Sequence, residues 1–175
     1  MLDPANNNGA ITPDGKVVRF GGTTGLLVTR HGAITSRFSV TLDLMQAAGT
    51  NGYLFAKATA AGSRYYSLYS SATSRSVIFY YRTAGSATLR NVRFPVNLSD
   101  GAQHAVLLSV DGTVATLRVD AETVGQATLA GLVDDCGAPS AACQLVVGQR
   151  PSATGNFLFF TGLMTEARLF TATAL

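Results

Sequence analysis

Residues 98–120 constrain the fold of this chain more than any other stretch: Leu98-Ser-Asp-Gly-Ala-Gln-His104, then Ala105 to Val110, the pair Asp111-Gly112, and Thr113 to Asp120. Val106, Leu108 and Val110 alternate with their neighbours, and Val114, Thr116, Arg118 and Asp120 alternate again after the break. Asp-Gly between two alternating runs supplies the positive backbone angles of a tight hairpin, so the stretch reads as strand, two-residue turn, strand.

The same period of two recurs along the chain, with turn clusters at all-β intervals and no convincing helical pattern. Strands are expected at Val17 to Phe20, Leu26 to Thr29, Phe38 to Leu44, Gly52 to Lys57, Tyr65 to Tyr69, Ser76 to Tyr81, Ala87 to Phe94, His104 to Val110, Val114 to Asp120, Gln144 to Val147, Phe157 to Phe160 and Leu163 to Phe170. Around a dozen strands in 175 residues predicts an all-β, two-sheet antiparallel sandwich or jelly roll. Leu44 to Ala48 is the one segment with helical character, and it is too short to matter. Ala60-Ala-Gly-Ser63, Ser70-Ser-Ala-Thr-Ser74 and Thr83-Ala-Gly-Ser86 have the length and chemistry of hairpin loops.

The length suits a single domain over residues 1–175 with a core from about 17 to 170, preceded by a lead-in, residues 1–15, whose Asn and Gly content favours turns, extended chain or disorder. The composition is 47% hydrophobic and only 13% charged, which fits broad inner faces on two packed sheets. No apolar run approaches the roughly 20 residues that span a bilayer, so membrane insertion is not expected. The amino terminus lacks the basic start and apolar run of a signal peptide, and the chain reads as a processed domain of a larger protein.

The segment LSDGAQHAVLLSVDGTVATLRVD resembles the "DG-aromatic-H … V-DG … L-VD-G" signature of laminin-G-like domains. Phe38-Ser-Val-Thr-Leu-Asp-Leu44 is similar to the family's early core strand and Gly52-Tyr-Leu-Phe-Ala56 to its "G-x-L-F" strand. Val147-Gly-Gln-Arg150 and Phe160-Thr-Gly-Leu-Met-Thr-Glu-Ala-Arg168 resemble its closing "G … F-x-G … E-x-R" segment. "GQR" and "F-x-G" point toward the thrombospondin N-terminal-like subgroup. Gln103 stands where the family usually has Trp, and Ala121 where it often has Gly. The resemblance, from Val17 to Phe170, implies a concanavalin-A-like sandwich at work outside cells or on their surface, in binding or adhesion. Many such domains hold calcium through an acid before a "D-Y/F-L-x-L" strand. Here Ser63 and Arg64 occupy that place before Tyr65-Tyr-Ser-Leu68, and a cation beside a would-be calcium ligand opposes the ion, so no cofactor is expected.

Cys136 and Cys143 bracket a six-residue Gly/Pro-containing loop, as a local disulfide of an oxidising compartment would, stabilising by about 2–3 kcal/mol in the chain-entropy model. Two cysteines without a nearby His do not complete a zinc shell. Asn97-Leu-Ser99 is a glycosylation sequon, meaningful only in a eukaryotic source.

Catalysis has no visible apparatus. A glycosidase needs two carboxylates across a cleft, and the only glutamates are Glu122 and Glu166. Asp134-Asp135 reads as a solvated turn, and His104 as a residue that packs or bonds at a strand start. Gly21-Gly-Thr-Thr-Gly25 lacks the Lys and helix of a phosphate loop, and no serine sits in a nucleophile elbow.

What remains is a basic, aromatic stretch. Arg64, Arg75, Arg82, Arg90 and Arg93 are interleaved with Tyr65, Tyr66, Tyr69, Tyr80 and Tyr81, with no acid between residues 64 and 93, so the stretch carries +5 where the whole chain carries +3. Alternation puts Ile78, Tyr80 and Arg82 on one face, and Arg90 opposite in sense to Arg93, so the arginines do not share one face. Arg82 with either Arg90 or Arg93 is expected at the surface or rim. Guanidinium forks suit sulfate and carboxylate oxygens, which points to an acidic, sulfated glycan or an acidic protein patch as partner. The competing explanation is that exposed outer strands carry arginine simply for solubility. A protein-assembly module and a neutral-sugar lectin are the other readings, the latter weakened by the absence of Trp. With no recognition helix or stacking motif, nucleic acid is not expected.

Overall fold

The computed structural model describes residues 10–11, 18–23, 25–28, 36–59, 62–137, 143–150 and 159–170. Among the described residues thirteen strands occur in chain order: β1 (Ala10–Ile11), β2 (Val18–Gly21), β3 (Leu26–Val28), β4 (Arg37–Gln46), β5 (Gly52–Ala58), β6 (Arg64–Ser71), β7 (Ser76–Arg82), β8 (Leu89–Phe94), β9 (Gln103–Asp111), β10 (Val114–Val119), β11 (Glu122–Thr128), β12 (Gln144–Val147) and β13 (Thr161–Phe170). They form two antiparallel sheets, a seven-stranded one in the order β1-β2-β13-β4-β9-β10-β11 and a six-stranded one in the order β3-β12-β5-β6-β7-β8. The described residues contain no helix. The architecture is the expected all-β jelly-roll sandwich.

Alternation builds the core between the sheets. Phe38, Val40, Leu42 and Leu44 of β4, Val106, Leu108 and Val110 of β9, and Ala115, Leu117 and Val119 of β10 turn inward from the larger sheet. Tyr66 and Leu68 of β6 and Val77, Phe79 and Tyr81 of β7 meet them from the smaller one. The layers interlock through aromatic rings, with Phe38 5.3 Å from Tyr66 and 6.4 Å from Phe79 between centroids. The last two strands thread between early ones, β13 between β2 and β4 and β12 between β3 and β5, so the sandwich closes only when the C-terminal third of the chain is in place.

Several boundaries differ from expectation for identifiable reasons. The turn after β9 is displaced by one residue: Asp111 still pairs with Val114, and Gly112, at φ 60°, takes the first turn place with Thr113 second. β11 was not anticipated, because the turn that precedes it is Asp120-Ala121, both in the left-handed region at φ 52° and 68°, with no glycine to announce it. Leu44 to Gln46 continues β4 and is not helical; a turn follows, closed by Thr50 N donating to Ala47 O at 3.2 Å. β8 begins at Leu89, two residues late, since Thr88 N donates to the Ser86 hydroxyl instead of a ladder partner. Of the strand expected at Phe157 to Phe160, residues 157 and 158 lie outside the described residues, as do Val17 and Thr29. Phe160 precedes β13, and its N–H donates to Gly148 O at 2.8 Å.

Cys136 and Cys143 are disulfide-bonded. The bridge ties the segment after Val133, which itself bridges to Thr83, to the start of β12.

Candidate functional site

The outward side of the six-stranded sheet carries a compact group of tyrosines and arginines. Because Tyr66 and Leu68 point into the core, Tyr65, Ser67 and Tyr69 point away from it, and Ile78, Tyr80 and Arg82 of β7 do likewise. β5 joins them through an irregularity: the register shifts between Tyr53 and Phe55, so Leu54 and Phe55 both enter the core while Tyr53 lies outward against Tyr69, ring centroids 4.8 Å apart. A second shift, between Lys57 and Ala58, lies opposite Arg64 at the start of β6, and the Arg64 guanidinium comes over the outward side.

There Arg64 is fixed on three sides. Its Nη1 donates to the Tyr53 hydroxyl at 2.7 Å, and its guanidinium carbon lies 4.7 Å from the Tyr80 ring centroid and 5.7 Å from that of Tyr53. Arg150 approaches the Tyr53 ring at 5.6 Å, and Arg82 covers Tyr65 at 5.5 Å. Arg150 reaches this place because the chain leaves β12 through Gly148 at φ 77°, whose N–H donates to Leu54 O at 3.0 Å. A Cβ at Gly148 would stand 2.3 Å from a ring carbon of Phe20, so only glycine fits.

The electrostatics are those of a cation cluster with no counterion among the described residues. Burial lowers the Arg64 pKa from its ordinary value, and the neighbouring charges of Arg150 and Arg82 lower it further, against the pull of Tyr53 and Tyr80. Burial raises the Tyr53 pKa, with Arg64 and Arg150 acting the other way, so the phenol keeps its proton at neutral pH. Among the described residues no carboxylate bonds to any of the three arginines. Three buried polar atoms here lack a hydrogen-bond partner: Arg82 Nε, Arg150 Nε and the Ser67 hydroxyl, whose residue is 0% exposed. Buried donors ordinarily find acceptors, and an oxyanion would supply them.

The arginines singled out from sequence are thus distributed. Arg64 and Arg82 enter the cluster, with Tyr80 between them. Arg93 faces outward but sits opposite Ile78, two outward places along β7 from Arg82. Arg90 lies opposite Tyr81, on the core side of the edge strand, where it is exposed. Arg75 occupies the β6–β7 turn at φ 46°, at the far end of that hairpin from Arg64 and Arg82. Asn97 is half-buried, its Oδ1 accepting from Ser99 N at 3.2 Å, while the Ser99 hydroxyl donates to Thr50 O at 2.8 Å. Sequence reasoning missed Tyr53, Ser67 and Arg150 as members of the group; "GQR" flagged Arg150 only as a resemblance.

Two other polar clusters are accounted for within the fold. His104 lies between two carboxylates, Nδ1 2.8 Å from Asp120 Oδ2 and Nε2 3.1 Å from Asp100 Oδ1, so neither ring nitrogen is available to a serine. Inside the sandwich Lys57 Nζ donates to Gly137 O at 2.7 Å and pairs with Asp135. Asp135, Cys136 and Cys143 come together as one group of metal-type ligands, but the disulfide removes both thiolates.

The fold is that of concanavalin-A-like jelly-roll sandwiches. The particular structures it resembles include the CBM40 of Ruminococcus gnavus IT-sialidase bound to α2,3-sialyllactose, with a TM-score of 0.75, 10% identity, and coverage of 91% of this chain and 92% of that one. The native heptameric SAP-like pentraxin from Limulus polyphemus matches with a TM-score of 0.65, 14% identity, and coverage of 91% and 77%. Domains LG4-5 of the mouse laminin α1 chain match with a TM-score of 0.63, 18% identity, and coverage of 90% and 41%. No family model matches the chain, and no curated protein does.

Proposed function

We propose that this chain is a non-enzymatic recognition domain that binds acidic glycans on the outward side of its six-stranded sheet. The single observation that carries this is the convergence of Arg64, Arg82 and Arg150 on a tyrosine frame with no carboxylate among the described residues bonded to them. Clustering like charges in a half-buried place costs stability, and a bound oxyanion offsets that cost. Support comes also from the fold: one similar structure, the Ruminococcus gnavus CBM40, is bound to sialyllactose, a sugar that carries a carboxylate. The motifs favour the laminin-G-like family and its thrombospondin N-terminal-like subgroup, and the disulfide favours a secreted or cell-surface domain of a larger protein.

Binding is proposed to need no calcium, because Arg64 occupies the place of the usual acid and is bonded to Tyr53. The test is a glycan array read at low and physiological salt, with and without calcium. Calcium-independent binding to acidic glycans that weakens with salt and with Arg64→Gln is expected. Binding that is flat with salt, or confined to neutral sugars, would sink the proposal.

A further inference from the structure

We infer that the site takes one acidic group at a time, a carboxylate or a sulfate ester at the end of a glycan, and not a polyanion laid along the sheet. This rests on the acidic-glycan reading above and narrows it.

The placement of the cations argues first. The three clustered guanidiniums gather on the β5–β6–β7 part of the outward face, Arg150 at Tyr53, Arg64 between Tyr53 and Tyr80, and Arg82 at Tyr65. Among the described residues the next outward cation, Arg93, lies in the cross-strand row of Tyr53, Tyr69 and Ile78, three strands from Tyr53, or about 14 Å at the usual strand spacing. Tyr69 and Ile78, which carry no charge, stand between Tyr53 and Arg93 in that row. Arg75 is at the other end of the hairpin and Arg90 on the other side of β8. A chain of repeated sulfates needs cations repeated along its path, and among the described residues this face gathers them about Arg64 instead.

The donor geometry argues second. The Tyr53 hydroxyl accepts from Arg64 and keeps its own O–H to donate. Ser67, fully buried and opposite Tyr80, whose ring Arg64 covers, has a hydroxyl without a partner. With Arg82 Nε and Arg150 Nε likewise unpartnered, the cluster presents several donors and few acceptors in the space of a few side chains. One oxyanion, with two or three oxygens and four or more lone pairs, matches that inventory.

The experiment is calorimetric titration of the intact domain with four probes: lactose, a disaccharide ending in glucuronate, a disaccharide ending in 6-sulfogalactose, and heparin. Expected is binding of one or both single-acid disaccharides and not of lactose, with a shallow log–log salt slope of about one or less, because a singly charged ligand is only screened by salt and has no condensed counterions to release. The two single-acid arms tell a carboxylate source from a sulfate source. Arg64→Gln should weaken binding by about tenfold or more, the scale of a lost charge-assisted bond, whereas Arg93→Gln should leave it unchanged. Arg150→Gln, outside the strands, replaces Arg64→Gln if that variant fails to fold. Heparin binding with a slope of several, weakened equally by Arg93→Gln and Arg75→Gln and without affinity for either single-acid probe, would overturn this inference and leave the acidic-glycan reading standing. Binding of lactose alone, or of no probe, would overturn both.

Discussion

Lys57 Nζ lies 3.4 Å from Asp135 Oδ1 inside the sandwich, the two side chains 0% and 8% exposed. They sit on the core side of the same sheet whose other side carries the arginines, since Lys57 pairs with inward-facing Tyr66. Burial lowers the Lys57 pKa and Asp135 raises it in return, so the carboxylate helps hold the ammonium charged. Removing the lysine takes the cation from a buried carboxylate, which typically costs about 3–5 kcal/mol, whereas replacing both charges can be far milder. Lys57→Met is expected to lower stability by that order in urea melts, and Lys57→Met with Asp135→Asn to recover more than half the loss. A double variant as unstable as the sum of the singles would mean the pair is not coupled.

The Asp120-Ala121 turn yields a prediction of opposite sign. Ala121 holds φ 68°, a left-handed conformation that costs an L residue about 1–2 kcal/mol, and it joins Val119 to its partner Glu122. Ala121→Gly removes that strain and adds unfolded-chain entropy, for a net gain of about 0.5–1 kcal/mol. The reading is the urea midpoint at unchanged slope; a lowered midpoint would show that the alanine is not strained there.

His104 makes stability depend on pH in a window with two edges. Burial works against the charged ring, but the bonds to Asp120 and Asp100 outweigh it and raise the His104 pKa above 6.5. Its contribution is therefore full below pH 6.5 and is lost as pH rises through the higher folded value. Asp100 is lowered from 3.8, chiefly by the Ala102 backbone N–H and His104. Asp120 is lowered too, although burial acts against the shift, because the bonds from His104 and the Ala105 N–H prevail. Their contribution is present above pH 3.8 and is lost as pH falls through the lower folded values. The stability difference between the parent and His104→Asn should peak between these limits and shrink on both sides. A difference that grows from pH 6 to pH 9 would contradict the two-carboxylate clamp.

How much of this was legible in the sequence follows the locality of each signal. The β9–β10 hairpin could be read because Val106, Leu108 and Val110 alternate and a Gly marks the turn, although Gly112 takes the first turn place and not the second, as Asp-Gly chemistry suggests. β11 escaped because its turn is built from Asp120 and Ala121, residues that carry the required angles at a cost and so leave no compositional mark. The site was half visible for the same reason. Arg64, Arg82 and Tyr80 fall in one basic run, and alternation assigns Arg82 and Tyr80 to one face. Tyr53 reaches that face only through the register shift in β5, and Arg150 only because β12 lies beside β5, a pairing of residues some ninety positions apart that local patterns do not encode.

Gly148 links the fold to the site, and its replacement tests both. At φ 77° it reverses the chain after β12, bonds to Leu54 O and Phe160 N, and carries Gln149 and Arg150 toward Tyr53. In Gly148→Ala the new methyl meets the rigid, buried ring of Phe20 at 2.3 Å in a backbone region unfavourable to alanine. Strain and overpacking together predict a loss of about 2–4 kcal/mol. If the variant still folds, the displaced Arg150 should weaken binding of acidic ligands more than Arg93→Gln does, because Arg93 lies outside the cluster. Pairing Gly148→Ala with Phe20→Leu relieves the clash but not the backbone strain and is expected to recover only part of the stability in thermal melts. Full recovery would place the whole cost in the ring contact, and no loss in the single variant would mean that the chain turns after β12 by a different path.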